Sequence, residues 1–235
     1  MDIFLFALLH CRRQRVQISG AKSEWITSAS GVPQGSVLGP ILFLVYINDL
    51  GVDVNESTTI LKFTDDTKIY AVCNNEHDHR VIPSDLSKLE KWANNWQMKL
   101  NVKKCKTMHL GYNNSKLQYW LDGNVLNSTS CEKDVGVWIS SDLKLTHHIT
   151  KACKKANRML GMIKCTIVYK NPHILVTPYK SQVRSHLEYC CSAWSPHYQK
   201  DKELLEKVQR CFTRMFKELK ELDYYDRLQS LGPGH

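Results

Sequence analysis

Two adjacent carboxylates, Asp65 and Asp66, stand in Phe63-Thr64-Asp65-Asp66-Thr67 between two short apolar stretches. Carboxylates side by side at a hairpin tip repel each other, and a divalent cation offsets that repulsion by taking their oxygens as ligands. A pair of such ions roughly 4 Å apart can activate an attacking hydroxyl and stabilise a leaving oxygen in phosphoryl transfer. Taken alone, an acidic pair in a turn is more often a solvated turn, so its surroundings decide. Upstream lies Ser30-Gly31-Val32-Pro33-Gln34-Gly35-Ser36-Val37-Leu38-Gly39-Pro40, a loop whose glycines let backbone come close to a ligand.

The charge distribution supplies a second candidate surface. The 235 residues carry a formal charge of +9, and 43% are hydrophobic, enough for a buried core. Residues 1–143 hold 15 basic and 15 acidic groups, whereas residues 144–235 hold 17 and 8. The whole excess is therefore C-terminal. A module that grips nucleic acid needs such a surplus, because each neutralised phosphate releases counterions; a Lys-rich solvated helix face is the equally weighted alternative. Lys154, Lys155 and Arg158 are the cluster expected to meet a nucleic-acid backbone.

Other chemistries find little support. The nine cysteines, at 11, 73, 105, 131, 153, 165, 190, 191 and 211, form no CxxC pair and read as reduced thiols of an intracellular protein. The histidine pairs His77/His79 and His147/His148 have no cysteine at zinc-finger spacing. Ile3–Leu9 is apolar but too short to span a bilayer, and it lacks a cationic start and a small-residue cleavage site, so no membrane association is expected. It reads as a core strand or helix. The Asn-x-Ser/Thr triplets at Asn55, Asn113 and Asn127 then read as chance matches.

The elements that must position these groups follow from hydrophobic period. Gln14–Ser19 and Glu24–Thr27 predict short strands around a Gly20 turn, and Ile41–Leu50 a buried helix, apolar nearly all round. Thr59–Phe63 and Lys68–Cys73 predict a hairpin around Thr64–Thr67. A helix is expected from about Ser84, its N-cap after Pro83, with Leu86, Leu89, Trp92, Ala93 and Trp96 on a core stripe. Strands are expected at 106–110, at 117–127 turning at Asp122-Gly123-Asn124, and at Val135–Ile139. Basic helices follow at about 145–168, 172–191 and 201–220, punctuated by Pro172 and Pro196. In the last, Leu204, Leu205, Val208, Phe212, Met215, Phe216 and Leu219 make one apolar stripe.

Ser30–Phe43 followed about thirty residues later by Phe63-Thr64-Asp65-Asp66 resembles the consecutive blocks of reverse transcriptases, in the wording of the LINE type (non-LTR retrotransposons). Trp92-Ala93-Asn94-Asn95-Trp96 with Leu100-Asn101 and Lys106-Thr107 is similar to the block after the acidic hairpin. Asp134-Val135-Gly136-Val137, with Leu143 and His148-Ile149, resembles the primer-grip region and the start of the thumb. Tyr179-Lys180, Val183-Arg184, His186–Cys190 and Trp194-Ser195-Pro196 resemble the thumb text, continued by Leu204–Met215. The likeness runs from about residue 12 to 232.

The resemblance implies an α+β chain: a partial polymerase palm of mixed or antiparallel sheet with helices over 1–142, then a basic helical thumb over 143–235. It implies RNA-directed DNA polymerase chemistry with Mg²⁺ or Mn²⁺ at Asp65, supported by Asp66. Pro33, Gln34, Gly35 and Ser36 would lie against template base and incoming deoxynucleoside triphosphate, and an RNA template and DNA primer would be the partners. Lys106 matches a lysine near the triphosphate, with an ordinary surface lysine as the equal alternative. Thr64 stands where the family has Ala, a small change that fits a strand.

One departure weighs more. The family places another essential aspartate on an earlier strand, and here Asp2 is the sole acid before Glu24. The expectation is therefore a truncated polymerase with an incomplete two-metal site, inactive alone. The alternative is a non-catalytic remnant that still binds nucleic acid. Action at a genomic target would place the parent in the nucleus.

Overall fold

The computed structural model describes residues 12–28, 31–32, 35–75, 78–112 and 114–232. Ile3–Leu9, Pro33, Gln34 and His77 lie outside them. The chain divides into two compact units, Met1–Val102 with Trp120–Asn124, and Lys103–Tyr119 with Val125–His235. The boundary between 142 and 143 falls inside the second of these. Helices mix with short two-stranded ladders, so the class is α+β, but the strands do not merge into one sheet.

In the first unit, β1 (Arg13–Gln14), β2 (Gln17–Ile18), β3 (Ala21–Lys22) and β4 (Ile26–Thr27) form one antiparallel hairpin, turning at Ser19-Gly20 where both φ values are positive. Helix α1 (Leu38–Ile47) begins where the Ser36 hydroxyl accepts the Gly39 N–H at 3.0 Å. Its sequence is apolar all round, yet only Gly39 and Ile47 are buried. The expected burial is thus only half met: Phe43 and Ile47 pack inward, while Ile41, Leu44 and Val45 are exposed. A helix apolar on every side needs two packing faces, and here one is supplied.

The inward face rests on β5 (Thr58–Phe63) and β6 (Asp66–Ala71), antiparallel with Phe63 opposite Asp66. The strand period of two sends Thr58, Ile60 and Lys62 to one side of β5 and leaves Leu61 and Phe63 exposed on the other. Ile60 and Ile69, paired across the hairpin, close a small core with Ile47, Leu50, Leu89 and Trp92. Gly51 takes the chain past β5 at φ +89°, where an added Cβ would stand 2.3 Å from Ile60 Cδ1.

Helix α2 (Asp78–Asn95) starts earlier than its proline suggested. Asn75 Oδ1 accepts the Asp78 N–H at 2.9 Å and Asp78 Oδ2 accepts the Asn75 N–H at 3.3 Å. This reciprocal cap sets the start and leaves Pro83 inside the helix. Asp85, fully buried, accepts from the Asn55 N–H, the Thr58 hydroxyl at 2.6 Å and Lys88 at 2.9 Å. Burial pushes its carboxyl up; the bonds from Thr58, Lys88 and Asn55 outweigh that and hold it below the usual range. Trp92 packs in the core as expected, but Trp96 lies just past the helix, 50% exposed against the edge of Tyr46.

The expected 106–110 and 117–127 strands shrink to two-residue pairings: β7 (Lys106–Thr107) and β10 (Asn127–Ser128) of the second unit, and β8 (Trp120–Leu121) with β9 (Asn124–Val125), of which Trp120–Asn124 belongs to the first. Then β11 (Cys131–Asp134) and β12 (Val137–Ser140) form a hairpin through Val135 and Gly136, both at positive φ. Helix α3 (Thr146–Thr166) buries Ile149, Ala152, Cys153, Ala156, Leu160 and Ile163, a stripe at helical spacing. Next come α4 (Pro172–Pro178), a wider π turn Tyr179–Arg184, α5 (Ser185–Glu188) and α6 (Cys191–Trp194). The chain breaks at Cys190, φ +56°, within the stretch read as one helix. Helix α7 (Gln199–Thr213) inserts Val208 and Phe212, and Phe212 stacks on buried Tyr179 at 3.9 Å between ring centroids. α8 (Tyr224–Ser230) closes the chain.

Candidate active site and nucleic-acid interface

Asp65 and Asp66 come to an exposed hairpin tip, tighter than the sequence implied. Thr64 and Asp65 alone make the turn, and Asp66 heads β6. Thr64 is therefore a turn residue rather than a strand residue, with φ +51°, a conformation that strains a β-branched side chain. Its hydroxyl donates to Asp65 Oδ1 at 3.0 Å and so orients that carboxylate. Among the described residues no Lys or Arg pairs with Asp65 or Asp66, and no three His, Cys, Asp or Glu side chains gather as a metal site.

Lys62 fixes the tip from behind. From the inward face of β5 its ammonium donates to the carbonyls of Ile47 (3.3 Å), Asn48 (2.8 Å) and Leu50 (3.1 Å). They lie at and just past the C-terminus of α1, where a cation is favoured, and Ile47 O also accepts the Leu50 N–H at 3.1 Å. The helix that follows the Gly/Pro loop is thereby tied to the strand that carries the acidic tip. Sequence reading passed over Lys62, though its alternation in phase with Thr58 and Ile60 was the signal. In the loop, Gly35 has φ +83° and an open Cβ position, and Ser36 caps α1. Pro33 and Gln34 lie outside the described residues.

Lys106 belongs to the second unit, where it pairs with Glu132 at 2.8 Å, both about two-fifths exposed. The bond from Lys106 holds the Glu132 carboxyl below its usual range. Exposed pairs of this kind are worth roughly 0–1 kcal/mol, so the lysine is easily released to another anion.

Lys154, Lys155 and Arg158 lie together on the exposed side of α3, opposite its buried stripe. Lys151, which the sequence reading did not single out, completes an i, i+3, i+4, i+7 row with them. Its ammonium stands 5.5 Å from the Trp138 ring of β12. Burial and the charge of Lys155 lower the His186 pKa. Behind the row, His148 is buried, its Nδ1 accepting the Trp138 N–H at 3.2 Å and its Nε2 without a partner. Burial, then His147, lowers its pKa. The β11–β12 turn meets the helices through Tyr189, whose hydroxyl donates to Val135 O at 3.1 Å.

A scan of family models matches residues 3–176 to "Reverse transcriptase (RNA-dependent DNA polymerase)". Among curated proteins, the chain is 27% identical over 197 residues to "RNA-directed DNA polymerase from mobile element jockey" of Drosophila melanogaster, covering 78% of this chain and 21% of that protein. It is 25% identical over 229 residues to "Probable RNA-directed DNA polymerase from transposon X-element" of the same species, covering 89% of this chain and 24% of the other. The chain thus spans about a quarter or less of the length of these relatives. No solved structure matches it.

Proposed function

We propose a polymerase role for this chain from one premise: it belongs to the reverse transcriptase (RNA-dependent DNA polymerase) family, and its relatives make it of the LINE (non-LTR retrotransposon) type. In the proposed role the first unit contributes part of the palm and α3 to α7 act as thumb. The pair Asp65–Asp66 holds the catalytic cation, and Gly35 and Ser36, with Pro33 and Gln34, meet template base and incoming nucleotide.

The single observation that carries this reading is the acidic tip. Both carboxylates are exposed, Thr64 orients one of them, and Lys62 ties the strand leading into their turn to the helix that leaves the Gly/Pro loop. The family uses divalent cations, and the donor set suits Mg²⁺ or Mn²⁺. Mg²⁺ is usually bound by one or two carboxylates, with waters and substrate phosphates completing the shell, rather than by a cage of protein ligands. Bound there, the cation would activate the primer hydroxyl and neutralise charge on the leaving pyrophosphate. Lys106, once released from Glu132, would add a further cation beside the triphosphate. The basic row on α3 would follow the template–primer backbone without reading sequence.

A second reading, binding without copying, is favoured by the lack of a third metal-ligating side chain beside Asp65 and Asp66 among the described residues. Primer extension on an RNA template with Mg²⁺, then Mn²⁺, separates the two. Extension by the chain that is lost in Asp65→Ala, Asp66→Ala establishes polymerase function. Template–primer binding without extension above that variant leaves the binding role in its place.

A further inference from the structure

The 12–28 hairpin has no part in the site just described, and its composition is unlike that of a structural ribbon. Its side chains are exposed almost throughout. Two strands alone are marginally stable in water, so an exposed hairpin is expected to gain a partner. Arg12, Arg13, Arg15 and Lys22 stand against Glu24, a balance of +3 that suits a polyanion.

The register shows where the anion would lie. Gln14 faces Ile26 and Gln17 faces Lys22. Between those pairs Arg15 and Val16 stand opposite Ser23, Glu24 and Trp25, so the returning strand carries one extra residue, a β-bulge. The bulge is pinned by the Ser23 N–H donating to Val16 O at 2.9 Å and the Val16 N–H donating to Ser23 Oγ at 2.9 Å. Bulges re-aim side chains. Here Trp25, 51% exposed, meets both arginines of the outgoing strand: the Arg15 guanidinium carbon is 4.5 Å from the indole centroid and that of Arg13 is 5.7 Å. Residues two apart on a strand share a face about 6.6 Å apart. Two cations and one large ring are thus held in a row by backbone geometry. At its root the arm is fastened to the Gly/Pro loop, where an Arg12 guanidinium N–H donates to Gly31 O.

We propose that this hairpin is a contact for single-stranded nucleic acid, in which Trp25 stacks on an unpaired base and Arg13 and Arg15 hold the flanking phosphates. An aromatic face accepts any base, and guanidiniums suit phosphate. Duplex offers no free base face, so the site selects single strand. Arg12 ties the arm to the loop that the proposed function assigns to nucleotide contact, a role this contact does not require.

The test is binding of fluorescein-labelled oligouridylate and of a labelled duplex to the whole chain by anisotropy. Trp25→Ala should weaken oligouridylate binding by about 5- to 150-fold, the span found for losing one stacked base. Trp25→Phe should restore most of it, and duplex affinity should not change. Arg13→Gln with Arg15→Gln keeps the indole and should flatten the salt slope for oligouridylate by about 1.4, or 0.7 for each phosphate lost. Unchanged melting of the variants excludes unfolding as the cause. Equal loss for single strand and duplex would overturn the assignment. So would oligouridylate binding indifferent to all three variants, the result expected if the arm pairs with another protein strand.

Discussion

Replacing Lys151, Lys154, Lys155 and Arg158 by glutamine tests the proposed thumb surface with a magnitude that the helix itself supplies. The row runs over seven residue steps of α3, about 10.5 Å at 1.5 Å per step. One duplex strand presents a phosphate about every 3.4 Å, so the row can neutralise about three. Each contributes about 0.9 to the logarithmic salt slope, giving a change of about 2.7 between parent and variant. From 50 to 200 mM salt that slope corresponds to about a 40-fold loss of duplex affinity in the parent that the variant does not share. Fluorescence anisotropy with a labelled duplex across that salt range measures both slopes directly. The four side chains are exposed and lie off the core stripe, so the variant should melt as the parent does. A folded variant whose slope changes by less than about one would refute the placement of the backbone along this face.

Gly136→Ala should destabilise the chain by about 1–3 kcal/mol, read from its melting curve. The residue sits at φ +89°, and its new Cβ would stand 2.7 Å from Tyr189 Cε1. A variant as stable as the parent would mean that the β11–β12 turn does not rest on Tyr189. His148 should make stability fall in acid. Its folded pKa is lowered below that of an unfolded histidine, about 6.5, so as pH drops through 6.5 the unfolded chain takes up the proton first. Stability is therefore intact above about pH 6.5 and declines below it until the folded pKa is reached. Melting temperatures at about pH 7.5 and 5.5 should differ less in His148→Asn than in the parent; an identical difference would remove His148 as the cause.

The C-terminal helices were the most legible part of the chain. The apolar stripe puts Val208 and Phe212 in the core, as its period required, although the helix expected at 201–220 ends at Thr213 and buried Phe216 lies beyond it; the helix expected at 145–168 runs Thr146–Thr166. The period could not reveal the π turn at Tyr179–Arg184 or the break at Cys190, because both are changes of backbone conformation that leave the hydrophobic spacing intact. Pro83 points to a helix start at Ser84, but the Asn75–Asp78 cap sets the start at Asp78 and leaves the proline in the second turn. The strands between 106 and 128 were overlong because alternation over few residues specifies register weakly. Tertiary roles were the least legible: Lys62 and Lys151 looked like ordinary surface lysines until a helix end and a tryptophan ring stood beside them.

The acidic residues sort by what their environment has already used. Asp85 is buried, and its two oxygens take Asn55, Thr58 and Lys88, so its charge is spent on joining α2 to β5. Asp65 and Asp66 receive no cation from the described residues, only the Thr64 hydroxyl, and they stand adjacent on a turn strained at Thr64. A fold that needed only a turn there would be easier to build with glycine or asparagine and a single charge. Two neighbouring negative charges lower stability through their repulsion and gain nothing from the packing around them. A cation from outside the protein would offset that cost, and the phosphates of a nucleotide could complete its shell. In the proposed function, the placement of the two carboxylates, more than their number, is what suits the tip to metal-assisted phosphoryl transfer.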